Sequence, residues 1–188
     1  LMDDHRILDR ARAVIETESQ AILRLNAALN ENFSRAVIAL IQCSGKIVTT
    51  GVGKAGIIAR KVSATLSSTG TSSLFLHPAE ALHGDLGSVS PDDLVLAFSN
   101  SGESDEVLRI LPSISFLGCV VISITGRPES SLAKSSNIII NIHAAEEACP
   151  LGLAPTASTV AMLAIGDALA MCAMEARGFT KDDYAVRH

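Results

Sequence analysis

The 188 residues are enough for one domain with a substantial core, and 48% hydrophobic content with 13 glycines fits a compact α/β protein rather than a disordered one. A formal net charge of −5 and scarce aromatics, with no Trp and one Tyr, leave neither a concentrated positive face nor a stacking platform, so nucleic acid is not an expected partner. Cys43, Cys119, Cys149 and Cys172 are scattered without a C-x-x-C pair, which fits reduced thiols in a cytoplasmic protein better than disulfides or a zinc site.

Residues 3–43 read as a helical lead-in. Ile7, Ala11, Ile15, Ile22, Leu25 and Leu29 recur at helical spacing up to residue 30, a second helical run covers 33–41, and the stripe needs a partner surface. Strand and helix patterns then alternate: strand 46–50, helix 57–68, strands 73–76 and 94–98, helix 107–117, strands 119–125 and 138–142. Short β-rich runs separated by helices predict a parallel sheet covered on both faces. The last helix, 156–176, is apolar nearly all round (Val160, Met162, Leu163, Ile165, Leu169, Met171, Cys172), with Gly178 as its stop. That exceeds what one side of a sheet requires, so it is expected to bury a subunit interface as well. No uninterrupted apolar run reads as a membrane span, and Met2-Asp3-Asp4-His5-Arg6 is not a signal peptide. Segments 77–93 and 143–155 carry no clear element, and loops of that size in a compact domain are usually functional.

Two motifs carry phosphate-type signals. Ser99-Asn100-Ser101-Gly102-Glu103-Ser104 sits between a buried strand and an amphipathic helix, so hydroxyls, free backbone N–H groups and the helix dipole converge there. The bland alternative is that Ser101 or Ser104 caps the helix. Gly51-Val52-Gly53-Lys54-Ala55-Gly56 matches G-x-G-x-x-G after a strand and before a helix. Dinucleotide binding also wants an acidic residue about 20 residues on, at the end of the next strand, where this chain has His77. A Walker loop wants the lysine after the last glycine and before Ser or Thr, and Lys54 is not so placed. The glycines are read as letting the backbone approach a small ligand, with Lys54 as its charged contact; a plain tight turn is the alternative. Both loops follow parallel strands and are expected to face one pocket.

These two motifs, with His77-Pro78-Ala79-Glu80-Ala81-Leu82-His83-Gly84-Asp85-Leu86-Gly87, Ile124-Thr125-Gly126-Arg127-Pro128-Glu129-Ser130 and Glu147-Ala148-Cys149-Pro150-Leu151-Gly152-Leu153-Ala154-Pro155-Thr156, resemble the sugar-isomerase (SIS) domain of the arabinose 5-phosphate isomerases along essentially the whole chain. The resemblance implies a single SIS domain over 1–188. Its fold would be a three-layer αβα sandwich, flavodoxin-like, with a five-stranded parallel sheet over about 46–178 after the helical lead-in. It implies interconversion of D-arabinose 5-phosphate and D-ribulose 5-phosphate for 3-deoxy-D-manno-octulosonate and lipopolysaccharide synthesis, and a homotetramer with active sites between subunits. The family's usual form continues into a pair of CBS repeats, absent from these 188 residues; the chain is either a naturally short member or a truncation, and a truncation is favoured.

An aldose–ketose exchange through an enediol needs a base between adjacent carbons and an acid for their oxygens. Glu147 is read as the base, since Ala148-Cys149-Pro150 would surround it with apolar groups and raise its pKa; Glu106, in the first turn after the serine loop, is the second carboxylate, and the two are open to exchange. Ring opening or oxygen proton transfer falls to His83 or His188, the latter favoured by the resemblance, with His77 shaping its loop and His5 and His143 structural. Lys54 would stabilise the enediolate or bind a substrate oxygen, and Gly51, Gly53, Ser99, Ser101, Gly102, Ser104 and Thr156 complete the sugar-phosphate contacts. The scheme requires no metal or cofactor, although His83 and His188 could capture zinc adventitiously if they converge. A non-catalytic sugar-phosphate sensor, or an isomerase of another sugar phosphate, are the alternatives.

Overall fold

The computed structural model describes residues 3–143 and 146–187. Five strands, β1 (Ile47–Gly51), β2 (Ser73–Leu76), β3 (Leu94–Phe98), β4 (Val120–Thr125) and β5 (Ile138–Asn141), pair in parallel in the order β2-β1-β3-β4-β5. Along β3 the side chains alternate between faces. Leu94, Leu96 and Phe98 enter one core with β1 Ile47 and β4 Ile122 and Ile124, while Val95 and Ala97 enter the other with β1 Val48 and β4 Val121. A strand buried on both faces has no solvated side, which is why β3 reads as an unbroken apolar run.

The first core is closed by α1 (Asp4–Arg24), α2 (Glu31–Gln42), α3 (Gly53–Ser68) and α7 (Ala157–Ala176). The second is closed by α4 (Pro78–Ala81), α5 (Asp105–Leu117) and α6 (Ser131–Lys134). The expected three-layer sandwich with a five-stranded parallel sheet and a long N-terminal helix is therefore the observed fold, and α8 (Lys181–Arg187) follows it.

Three expectations need correction. Segment 77–93 is not structureless: it holds α4 and a 3-10 turn, Asp85–Ser88, both too short for a periodic pattern. Helix α3 starts at Gly53, because the glycine loop itself forms its first turn. By length and hydropathy α7 suits a membrane span, where the sequence reading finds none, but half of it is buried inside the protein against α1, α2 and α3. The other side of α7, where Met171 is 43% exposed and Cys172 is exposed, is left open within the single chain, and so are Ile7, Ile15 and Leu23 of α1, at 50%, 65% and 58% exposed.

Candidate active site

Strand order reverses between β1 and β3: from β1 the chain winds to β2 on one side, and from β3 to β4 on the other. Loops leaving the C-terminal ends of such strands diverge and open a crevice, the usual ligand site of open α/β sheets. A cavity of about 500 Å³ lies there. Gly53 and Lys54 line it from the first loop, and Ser99, Asn100, Ser101 and Ser104 from the second. Glu147, Leu153 and Pro155 line it from the segment before α7, and Ser158, Thr159 and Met162 from α7 itself. A second cavity of about 290 Å³, lined by Cys43, Asp92, Asp93 and Gly118, sits at the opposite ends of the strands, remote from every motif.

The serine loop is built as a cradle. Ser99 is 2% exposed, its Oγ accepts the Gly102 N–H at 3.0 Å, and it shares a 2.9 Å hydrogen bond with Ser104 Oγ. Ser104 is the N-cap residue of α5, yet its hydroxyl makes no cap bond, which removes the bland reading for that serine. Ser101 Oγ accepts the Glu103 N–H at 3.1 Å. Gly102 has φ 65° and a Cβ there would collide with Ser130, so only glycine completes the turn. The loop is fastened from the β4–α6 connection: the Gly126 N–H donates to Asn100 O, the Leu132 N–H to Gly102 O, and the Ser131 N–H to Glu103 Oε1 at 2.8 Å. That last bond holds the Glu103 carboxyl below the usual carboxylate range.

In the glycine loop, a Cβ on Gly56 would run into the Gly51 carbonyl, so the helix can start directly against the strand end. Lys54 is exposed on the first turn of α3 and lines the cavity. A cation at a helix N-terminus is disfavoured by the dipole, so its presence there argues for a ligand rather than for stability.

Glu147 is half-buried and tied to the start of α7. Its Oε2 accepts Thr156 N–H at 2.7 Å, Thr156 Oγ1–H at 3.0 Å and Ser158 N–H at 3.3 Å, while Oε1 accepts the Ser158 hydroxyl. Burial alone would raise its pKa, as expected from the neighbouring residues. The hydrogen bonds from Ser158 and Thr156 outweigh burial, however, and the carboxyl sits below its ordinary value. The expected upward shift is thus overturned, and Glu147 is a firmly ionised carboxylate. In the same segment the backbone N–H groups of Ala154, Leu151 and Leu153 surround the Cys149 thiol and hold it below the usual range.

Other expected residues are spread more widely. Thr156 is engaged by Glu147 and by the Ala148 N–H at 2.8 Å, and Gly51 and Gly102 form the floor of their loops rather than the cavity wall. Glu106 is exposed beside Asp105 on the first turn of α5, complementing its dipole, and does not line the cavity. His83 is exposed after α4, also outside the lining, and His188 lies outside the described residues. His77 Nδ1 accepts the Ala79 N–H and caps α4, the loop-shaping role expected of it. His5 pairs with Asp9, and His143 has φ 51° with Nε2 buried and unpartnered among the described residues. Sequence reasoning missed Asn100, whose Oδ1 is buried without a hydrogen-bond partner among the described residues, and Ser158. The signal for Ser158 was a hydroxyl two residues past a helix start, where an incoming carboxylate finds both hydroxyl and amide donors.

Comparison with known proteins locates an SIS domain over residues 40–172. The arabinose 5-phosphate isomerase KdsD of Salmonella typhi is 49% identical over 177 residues, 94% of this chain and 54% of that protein; KdsD of Pseudomonas aeruginosa is 48% identical over 178 residues, 95% and 55%. The chain spans about half the length of the curated relatives it matches. The solved structure of E. coli CFT073 c3406 in complex with arabinose 5-phosphate superposes with a TM-score of 0.96 at 41% identity, covering 100% of both chains.

Proposed function

That the chain belongs to the SIS domain family is the premise from which we propose its reaction: the aldose–ketose isomerisation of D-arabinose 5-phosphate and D-ribulose 5-phosphate through an enediol. The observation that carries it is one cavity shared by a serine cradle, the Lys54 ammonium and the ionised Glu147 carboxylate. A module that only bound sugar phosphates would need the cradle but no carboxylate held ready beside it.

The phosphate docks at Ser99, Ser101 and Ser104 and the first turn of α5, which brings the sugar carbons toward Glu147. Glu147 takes the C2 proton, the electron pair enters a C1–C2 double bond, and the aldehyde oxygen takes up a proton to give the enediol. The same carboxyl then returns the proton to C1 as the C2 hydroxyl loses its own and becomes the ketone. Lys54 stabilises the charge on the enediolate oxygens, and His83 or His188 opens the ring and moves oxygen protons; Glu106 is kept as the second carboxylate although it does not line this chain's cavity. Sugar and side-chain protons account for the whole exchange.

His83 is outside its own chain's cavity, so as the ring-opening group it would act in a neighbour's. The protein is a cytoplasmic homotetramer with sites between subunits, and the exposed apolar residues of α1 support such assembly. The product feeds 3-deoxy-D-manno-octulosonate and lipopolysaccharide synthesis. Glu147→Gln is the test: turnover falls by about 10³-fold while the sugar phosphate still protects the protein against heating. Retained turnover would remove Glu147 as base, and loss of protection would make it a binding residue.

A further inference from the structure

The two oxygens of Glu147 stand in different circumstances. Among the described residues, Oε2 has three donors, from Thr156 N, Thr156 Oγ1 and Ser158 N, whereas Oε1 has one, the Ser158 hydroxyl. A carboxylate offers about four lone-pair sites, so Oε2 is saturated and a single lone pair of Oε1 stays open. Ser158 is 2% exposed, and it lines the same cavity as Glu147. It is not the capping residue of α7, which is Thr156, so its hydroxyl is directed at Glu147 rather than at its own helix end.

We propose that Ser158 is a positioning residue for Glu147: by occupying one lone pair of Oε1 it leaves the other as the proton-accepting site and sets how readily that oxygen takes the proton. The inference rests on the reading of Glu147 as the base. In the step concerned, the substrate C–H bond breaks, an O–H bond forms on Oε1, and the electron pair passes into the C1–C2 double bond as the carbonyl oxygen is protonated. A hydroxyl donates more strongly to a carboxylate than to a neutral acid, so Ser158 favours the ionised, proton-accepting form. Among the described residues, the other charged group on the cavity wall is Lys54, from α3; the serine loop and α7 contribute uncharged side chains there, Glu146 is exposed, and Cys149 belongs to the same segment as Glu147.

The test uses the purified protein and two readouts: the Glu147 side-chain carboxyl titration by carbon-13 NMR, assigned with Glu147→Gln, and the pH dependence of kcat. In Ser158→Ala the titration midpoint moves up by about one pH unit or more, and the acid limb of kcat moves with it. KM stays within about threefold of the parent, because the effect lies on the base rather than on sugar binding. Ser158→Cys, a weaker donor, shifts in the same direction by less, and Ser158→Thr restores both values. A folded Ser158→Ala with an unmoved midpoint overturns the proposal. If that variant does not fold, a Cys variant that titrates like the parent overturns it equally. Undiminished turnover in Glu147→Gln would instead sink the reading of Glu147 as base, and the substrate-free titration would still decide the part played by Ser158.

Discussion

Glu147 gains its ionised state from donors that come back to it nine and eleven residues later in the chain, Thr156 and Ser158. This is why its direction of shift was not legible locally: Ala148, Cys149 and Pro150 are its neighbours in sequence, but α7 is its neighbour in space. Its folded-state pKa lies below the unfolded value of about 4.3, so its contribution to stability is full above that pH and is lost as pH falls through the folded value. Glu147→Gln should therefore melt less steeply with acidification than the parent between pH 5 and about 3 in thermal scans; parallel curves would show that the anchoring bonds are not formed in solution. The serine loop was legible because its hydroxyls, its glycine and the flanking strand and helix are all local in sequence. Asn100 was not, since the feature that marks it is a buried, unpartnered oxygen.

At the scale of elements, two fastenings hold the strands, one at each end, and one of them shapes the site. Near the cavity, Gly102 lets the serine loop close against Ser130. Gly102→Ala puts a side chain at φ 65° and into that contact, so KM for the sugar phosphate should rise by about tenfold or more with kcat less affected. An unchanged KM would mean that the cradle does not bind the phosphate. At the far end, Asp93 is 3% exposed and accepts Lys46 N at 2.9 Å, Lys46 Nζ at 2.6 Å and Ser90 N at 2.8 Å, joining the starts of β1 and β3. Burial would raise its pKa, but those bonds hold it below the ordinary range. Asp93→Asn removes the charged partner of Lys46, whose side chain is 27% exposed, and should cost about 2 kcal/mol in denaturant unfolding while sparing the cavity. The strands and long helices were readable because burial on both faces gives apolar runs and one buried stripe gives helical spacing. Helices α4 and α6, of four residues each, have no period to read.

For the whole molecule, strand order matters more than any residue, since β2-β1-β3-β4-β5 makes the loops after β1 and β3 diverge over one crevice. Alternating elements foretold the layers, whereas the path of α1 across α7 is a tertiary choice that periodicity does not encode. The apolar residues left open on α1 predict assembly. Ile15→Asp should lower the solution mass measured by light scattering and, where the proposed sites between subunits need His83 from a neighbour, lower turnover together with it. Loss of assembly with full activity would place every catalytic group within one chain. The central claim is tested most directly by proton NMR of the protein with D-arabinose 5-phosphate in deuterated buffer. The account predicts ribulose 5-phosphate carrying deuterium at C1, because the proton held on Glu147 exchanges with solvent before its return. Sugar phosphate that protects the protein against heating yet forms no product would contradict it and leave a binding module.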